Sequence, residues 1–144
     1  MEKIAKYVLT DETIKIGSTV LYRIKALIDF YNVKAGDLGG FVESETNLSH
    51  EGKCWVYNDA CVYDNAKVYG NAQIMSNVHI SGNAKVYGNA KVYGESEVCG
   101  CAIVKENAEI YENAKVHGDA QVHGHAKVCG IAEIFDHAII YENA

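Results

Sequence analysis

From Val56 onward an aliphatic residue returns at every sixth position, through Val62, Val68, Ile74 and Ile80 to Val128, Ile134 and Ile140, fifteen times without a miss. We number the hexapeptide from this residue. Position five is small almost throughout: Ala60, Ala66, Ala72, Val78, Ala84, Ala90 and Ser96, then Ala at every sixth residue from Ala102 to Ala144. Position three is often Gly, position four mostly Asn or Asp, and position six mostly polar. A helix cannot hold this period, because 3.6 residues per turn smear the apolar face around the axis. A strand places positions five and one on the same side, two residues apart. Gly and Asn tolerate the left-handed backbone of a tight corner. Each hexapeptide therefore reads as one short strand and one corner, the periodicity of a parallel β-helix.

Residues 1–37 do not follow the repeat. Tyr7-Val8-Leu9-Thr10 and Thr13-Ile14-Lys15-Ile16 flank Asp11-Glu12, which predicts a hairpin. Leu21, Ile24, Ile28 and Tyr31 recur at helical spacing behind Ser18 or Thr19, which predicts a short capping helix. Residues 38–55 read as a degenerate first coil, with Val42, Leu48 and Cys54 at position five and with Ser44 and His50 breaking position one. Residues 56–144 are the repeat proper.

Units such as Asn83-Ala84-Lys85-Val86-Tyr87-Gly88 resemble the bacterial hexapeptide-repeat superfamily. That resemblance implies an all-β fold, a left-handed triangular prism in which three hexapeptides make one coil, with five to six coils under the N-terminal hairpin-helix cap. It also implies a homo-oligomer, commonly a trimer. Gly39-Gly40-Phe41-Val42-Glu43-Ser44 followed by Cys54-Trp55-Val56-Tyr57 resembles the head of bacterial and prophage repeat proteins labelled acyltransferases or γ-class carbonic anhydrases. The order of charges agrees with a coil of three hexapeptides. Position six reads Glu97, Lys115, Glu133 in one column and Lys91, Glu109, Lys127 in another, alternating as vertical neighbours should. Lys67 above Lys85 departs from it.

The chain has 144 residues, of which 49% are hydrophobic and 22% charged, with a formal net charge of −6. It shows no basic face, which argues against nucleic acid as a partner. No stretch reaches the roughly 18–20 apolar residues of a membrane span, and the opening residues lack the apolar core of a signal peptide, so a cytoplasmic protein is expected. Position two carries Tyr57, Tyr63, Tyr69, Tyr87, Tyr93, Tyr111 and Tyr141. These columns either cover the corners or form a subunit interface. The C-terminal coil, ending Glu142-Asn143-Ala144 without a capping helix, is a second surface on which another copy could sit.

Three chemistries are open. With three hexapeptides per coil, Cys99 and Cys101 stack below His117 and Asp119, with His137 above them, a group of zinc-ligand types on one corner. Val122-His123-Gly124-His125-Ala126 resembles part of the γ-class carbonic anhydrase signature, which implies zinc held by histidines. The earlier His of that signature falls on Gly118, with His117 beside it, and the only arginine, Arg23, lies outside the repeat. His117, His123 and His125 drawn from two chains could still supply a zinc site for CO2 hydration. The acyltransferase resemblance implies a histidine general base, for which His79, His117, His123 and His137 are candidates. The repeat carries no insertion from residue 56 to 144 to build a substrate pocket. The leading expectation is therefore an oligomeric binding or assembly scaffold without clear catalytic apparatus.

Overall fold

The computed structural model describes residues 5–144, whose regular structure is strands joined by turns, with one short 3-10 turn. The head contains β1 (Tyr7–Ile16), β2 (Thr19–Ala26) and β3 (Leu38–Val42), followed by the 3-10 turn Glu45–Asn47. Fifteen two-residue strands come next, from Trp55–Val56 to Ile139–Ile140, one per hexapeptide. Strands of successive coils pair in parallel and stack into three sheets. Face A begins with β1, β2 and β3 and continues through Cys61–Val62, His79–Ile80, Glu97–Val98, Lys115–Val116 and Glu133–Ile134. Face B stacks Trp55, Gln73, Lys91, Glu109 and Lys127, and face C stacks Lys67, Lys85, Ile103, Gln121 and Ile139. Each strand pairs with the third one after it, so three hexapeptides make one coil, and the β-helix has about six coils.

The bore is as the repeat dictates. Positions one and five are fully buried through the middle coils, from Val56 and Ala60 to Val122 and Ala126. Their removal from water is the main favourable term holding the prism together. Ser96 is the polar exception at position five, and its hydroxyl donates to the Tyr93 carbonyl at 2.9 Å. Position three has positive φ, between 55° and 76°, in all fifteen units, whether the residue is Gly, Asn, Asp, Ser or Glu. Position four does not share it, so its Asn residues serve another purpose. The corners are hydrogen-bonded between coils too, as in Asn83 N–H to the Gly100 carbonyl at 2.7 Å.

The head departs from expectation in three ways. The chain over 19–26 is a strand, not a capping helix: Leu21 packs outward with Phe41 and Cys61, whereas Ile24 and Ala26 pack inward on the bore. A strand buried on both sides shows apolar residues at odd and even positions, and this imitates helical spacing. The hairpin turns at Gly17-Ser18, not at Asp11-Glu12, which sit in a bulge of β1 where the pairing shifts between Leu9 and Thr13. In the first coil the stacking slips. Val42 pairs with Val62 and Leu48 with Val68, each separation being two residues longer than the three hexapeptides between Trp55 and Gln73. Val42 and Leu48 thus occupy position one, Gly40 lies beside Ala60 at position five, and two extra residues lie between Leu48 and Cys54.

Candidate functional site

Three position-two side chains, Tyr63, Tyr93 and His117, lean back over their own face. Tyr93 donates to the Glu109 carboxylate at 3.2 Å, the Tyr63 hydroxyl lies 3.5 Å from His79 Nδ1, and His117 Nε2 lies 3.4 Å from Glu133 Oε1. In each case the partner is a position-six residue of the same face, one coil on. Position-four side chains instead meet along their own column, as Asp119 and His137 do at 3.5 Å. The corner between faces A and C therefore divides into small groups. His117 pairs with Glu133 and stacks on Phe135 at 5.6 Å, apart from the Asp119–His137 pair. Cys99 is half-buried and Cys101 exposed, both as free thiols, and burial beside Glu97 pushes the Cys99 thiol up. Among the described residues of one chain, no three His, Cys, Asp or Glu side chains come together as a group that could hold a metal ion.

The second histidine group lies on a different corner, between faces C and B. His123 stacks on Tyr141 at 5.6 Å, with Nδ1 3.7 Å from Glu106 Oε1. His125 stands across Gly124 from it, in a furrow of about 640 Å³ lined by Asn107, Glu109, Lys127 and Asn143. His117 is on the neighbouring corner, so within one chain these three imidazoles do not meet.

Reading residues singly does not find the furrow. It continues past Asn89 and Lys91 toward Asn71, Gln73, Lys53 and Tyr31. One wall is the position-four column Asn71, Asn89, Asn107, His125, Asn143, in which Asn71 donates to Asn89 at 3.3 Å. The floor is the outward column of face B. An Asn at position four of this corner in every coil but one, where His125 takes its place, is the sequence signal that marks it.

The tyrosine columns use their ring faces within the chain. Tyr69 stacks on Tyr87 with centroids 4.6 Å apart and planes 6° from parallel, and Tyr93 on Tyr111 at 5.1 Å and 6°. The Cys129 thiol beside Tyr111 helps push that phenol up to about 12. Arg23 is consumed in the head. Its guanidinium contacts Glu12 at 2.7 Å and Asp59 at 3.1 Å, donates to the Gly39 and Asn58 carbonyls, and lies over the Phe41 ring. Cys61, outward by position, is nevertheless buried beneath Leu21 and Phe41.

No family model matches the chain. Over 45 residues, 31% of its length, it is 40% identical to a protein of Escherichia coli (strain K12) named an uncharacterized acetyltransferase, YdcK. The chain spans 14% of that relative's length. This similarity and the stacked parallel coils fit a hexapeptide-repeat β-helix. Among the described residues, no helix is long and apolar enough to cross a membrane.

Proposed function

We propose that the chain is an oligomeric binding or assembly scaffold, which presents ruled columns of side chains rather than an enclosed reaction chamber. The observation that carries this reading is the unbroken stacking from Trp55 to Ile140, where each hexapeptide runs straight into the next and every outward position recurs once per coil. Such a surface suits a partner that makes the same contact at successive coils. Supporting it, the imidazoles of His117, His123 and His137 are each engaged by a carboxylate of their own chain, and Arg23 is held in the head. Sedimentation analysis across a concentration series tests the reading. A defined oligomer is expected; a monomer at every concentration would overturn it.

Acyl transfer is a second reading, favoured by the similarity to the acetyltransferase-named relative and by His125, whose imidazole opens on the furrow. In that reading His125 takes the proton of an acceptor hydroxyl or amine as it attacks a thioester carbonyl, the C–S bond breaks, and the imidazolium returns the proton to the departing thiolate. Acetyl-CoA should then raise the melting temperature, and His125→Ala should abolish transfer without lowering that temperature. Zinc-dependent chemistry would need His117 of one copy beside His123 or His125 of another. Stoichiometric zinc in the purified oligomer, lost in His117→Ala, is its test.

A further inference from the structure

At the head end of the furrow stands an aromatic side chain on strained backbone. Tyr31 has φ 46°, a left-handed conformation that a bulky L residue adopts at a cost. With Asn32 it forms the tip of a tight turn, closed by main-chain hydrogen bonds of 2.9 and 2.8 Å between Phe30 and Val33. The turn is pinned on both sides of the tip. The Phe30 ring packs edge-on against Trp55 at 5.2 Å, and Tyr57 donates to the Asn32 carboxamide oxygen at 2.8 Å. These anchors hold the Tyr31 ring out of the core: it is 61% exposed and lines the furrow beside Lys53, Asn71 and Gln73. The Lys53 ammonium lies 5.6 Å from its centroid. Strain kept in place by well-packed surroundings, at a residue that adds nothing to the core, is a mark of a functional position.

Below Tyr31 the wall is ordered and polar. Asn71 accepts from the Lys53 main-chain N–H at 3.2 Å and donates to Asn89 at 3.3 Å, which fixes the first carboxamide. Among the described residues, the Asn107 and Asn143 side chains bond to no other group of the chain, so each brings a donor and an acceptor to the furrow. We propose that the furrow binds an extended, uncharged glycan lying along the prism axis, with one sugar ring stacked on Tyr31 and the following sugars hydrogen-bonded, one per coil, to the carboxamide wall. The proposal rests on the binding half of the scaffold reading and names the partner. A straight β-1,4-linked pyranose chain advances per sugar by close to one coil spacing, ~4.8 Å. An extended peptide returns a side chain to the same side only every ~6.6 Å, and so falls out of step. The floor charges alternate through Lys91, Glu109 and Lys127, so a polyanion would meet a carboxylate between the two lysines. Asn71 to Asn143 spans four coil steps, roughly 19 Å, which is room for about five sugars.

Calorimetric titration of the full chain with cellohexaose and with chitohexaose tests this, since both are straight β-1,4-linked chains. At least one should bind, and its disaccharide should bind roughly tenfold or more weaker, because it reaches only part of the wall. Maltohexaose, which coils, should be weaker by a similar factor. Tyr31→Gly removes the ring and relieves the left-handed strain, so the melting temperature should not fall while affinity drops by roughly tenfold or more. Binding of neither hexaose at millimolar concentration would overturn the proposal. So would a folded Tyr31→Gly variant that binds as the parent does. An oligomeric parent that binds neither sugar would overturn the furrow and leave the oligomeric scaffold standing; a monomer that binds one would do the reverse.

Discussion

The Lys6 ammonium nitrogen lies 2.6 Å from the main-chain carbonyl oxygen of Cys54, with neither residue open to solvent. Gly52 and Glu51 offer further carbonyls at 3.4 and 3.5 Å, and the Cys54 thiol is 3.4 Å away. The two extra residues of the first coil build this seat: the chain bulges between Leu48 and Cys54 and turns its carbonyls toward Lys6. Burial pulls the Lys6 pKa below its ordinary value, opposed by the thiol. Lys6→Met keeps the apolar stem and strands the carbonyls, so a loss of about 1–3 kcal/mol is expected in denaturant unfolding. An unchanged midpoint would show that the seat holds nothing.

The bore sets a size limit at position five. Ala108 is fully buried between the aliphatic columns. Interiors at this density do not absorb added methyl groups without strain. Ala108→Val should cost about 1–3 kcal/mol, and Ala108→Trp should prevent the coil from closing. Gln121→Val, a change of an outward side chain, should stay within about 0.5 kcal/mol. Thermal melts of the three variants check the contrast.

Position three gives a prediction of opposite sign at two sites. Glu112 holds a left-handed conformation, φ 59°, which an L side chain adopts at a cost. Glu112→Gly should therefore stabilise the protein by about 0.5–1 kcal/mol, part of the gain being offset by unfolded-state entropy. One coil below, Gly94 has φ 76°, and a Cβ there would stand 2.7 Å from the Glu112 backbone nitrogen. Gly94→Ala should destabilise by about 1–3 kcal/mol. Equal effects of the two substitutions would mean that the corner tolerates any residue.

The prism is legible in the sequence because one rule repeats fifteen times, so no single residue has to be interpreted alone. Val56 and Ala60 mean the same thing at every coil, and the alternating charges of Lys91, Glu109 and Lys127 report the coil length without coordinates. The head is not legible, because it obeys the rule only once. Leu21 and Ile24 face different cores from one strand, and that reads like a helix in sequence. Leu48 also follows Val42 by six, but its vertical neighbour, Val68, stands two places later than the repeat would put it, a slip no local pattern reveals. The candidate site is half legible. His117, Asp119 and His137 fall on the coils the period assigns, yet the lean of position two over the sheet, which draws His117 to Glu133, depends on side-chain directions the period does not encode. His125 reads as a ligand type, whereas the Asn wall that makes it part of a furrow emerges only when vertical neighbours are viewed together.

Cys61 makes alkaline stability sensitive to the head. Its thiol sits beneath Leu21 and Phe41, and burial, aided by Asp59 and opposed by Arg23, raises it from 9.0 to about 11. The folded pKa lies above the unfolded one, so between these values the unfolded chain gives up the proton first. Stability is then fully present below pH 9, falls as pH rises, and levels off above 11. A rise of that size corresponds to a loss of up to about 2–3 kcal/mol. Tyr7 and Tyr63, also raised by burial, add a fall of the same sign at higher pH, so the difference between parent and variant isolates the thiol. Urea midpoints of the parent and of Cys61→Ala should converge as pH climbs from 9 to 11, the variant having lost some packing but not this slope. Parallel curves would mean that the hairpin leaves the thiol open to water, and that the outer cluster of Leu21, Phe41 and Cys61 does not hold the head against face A.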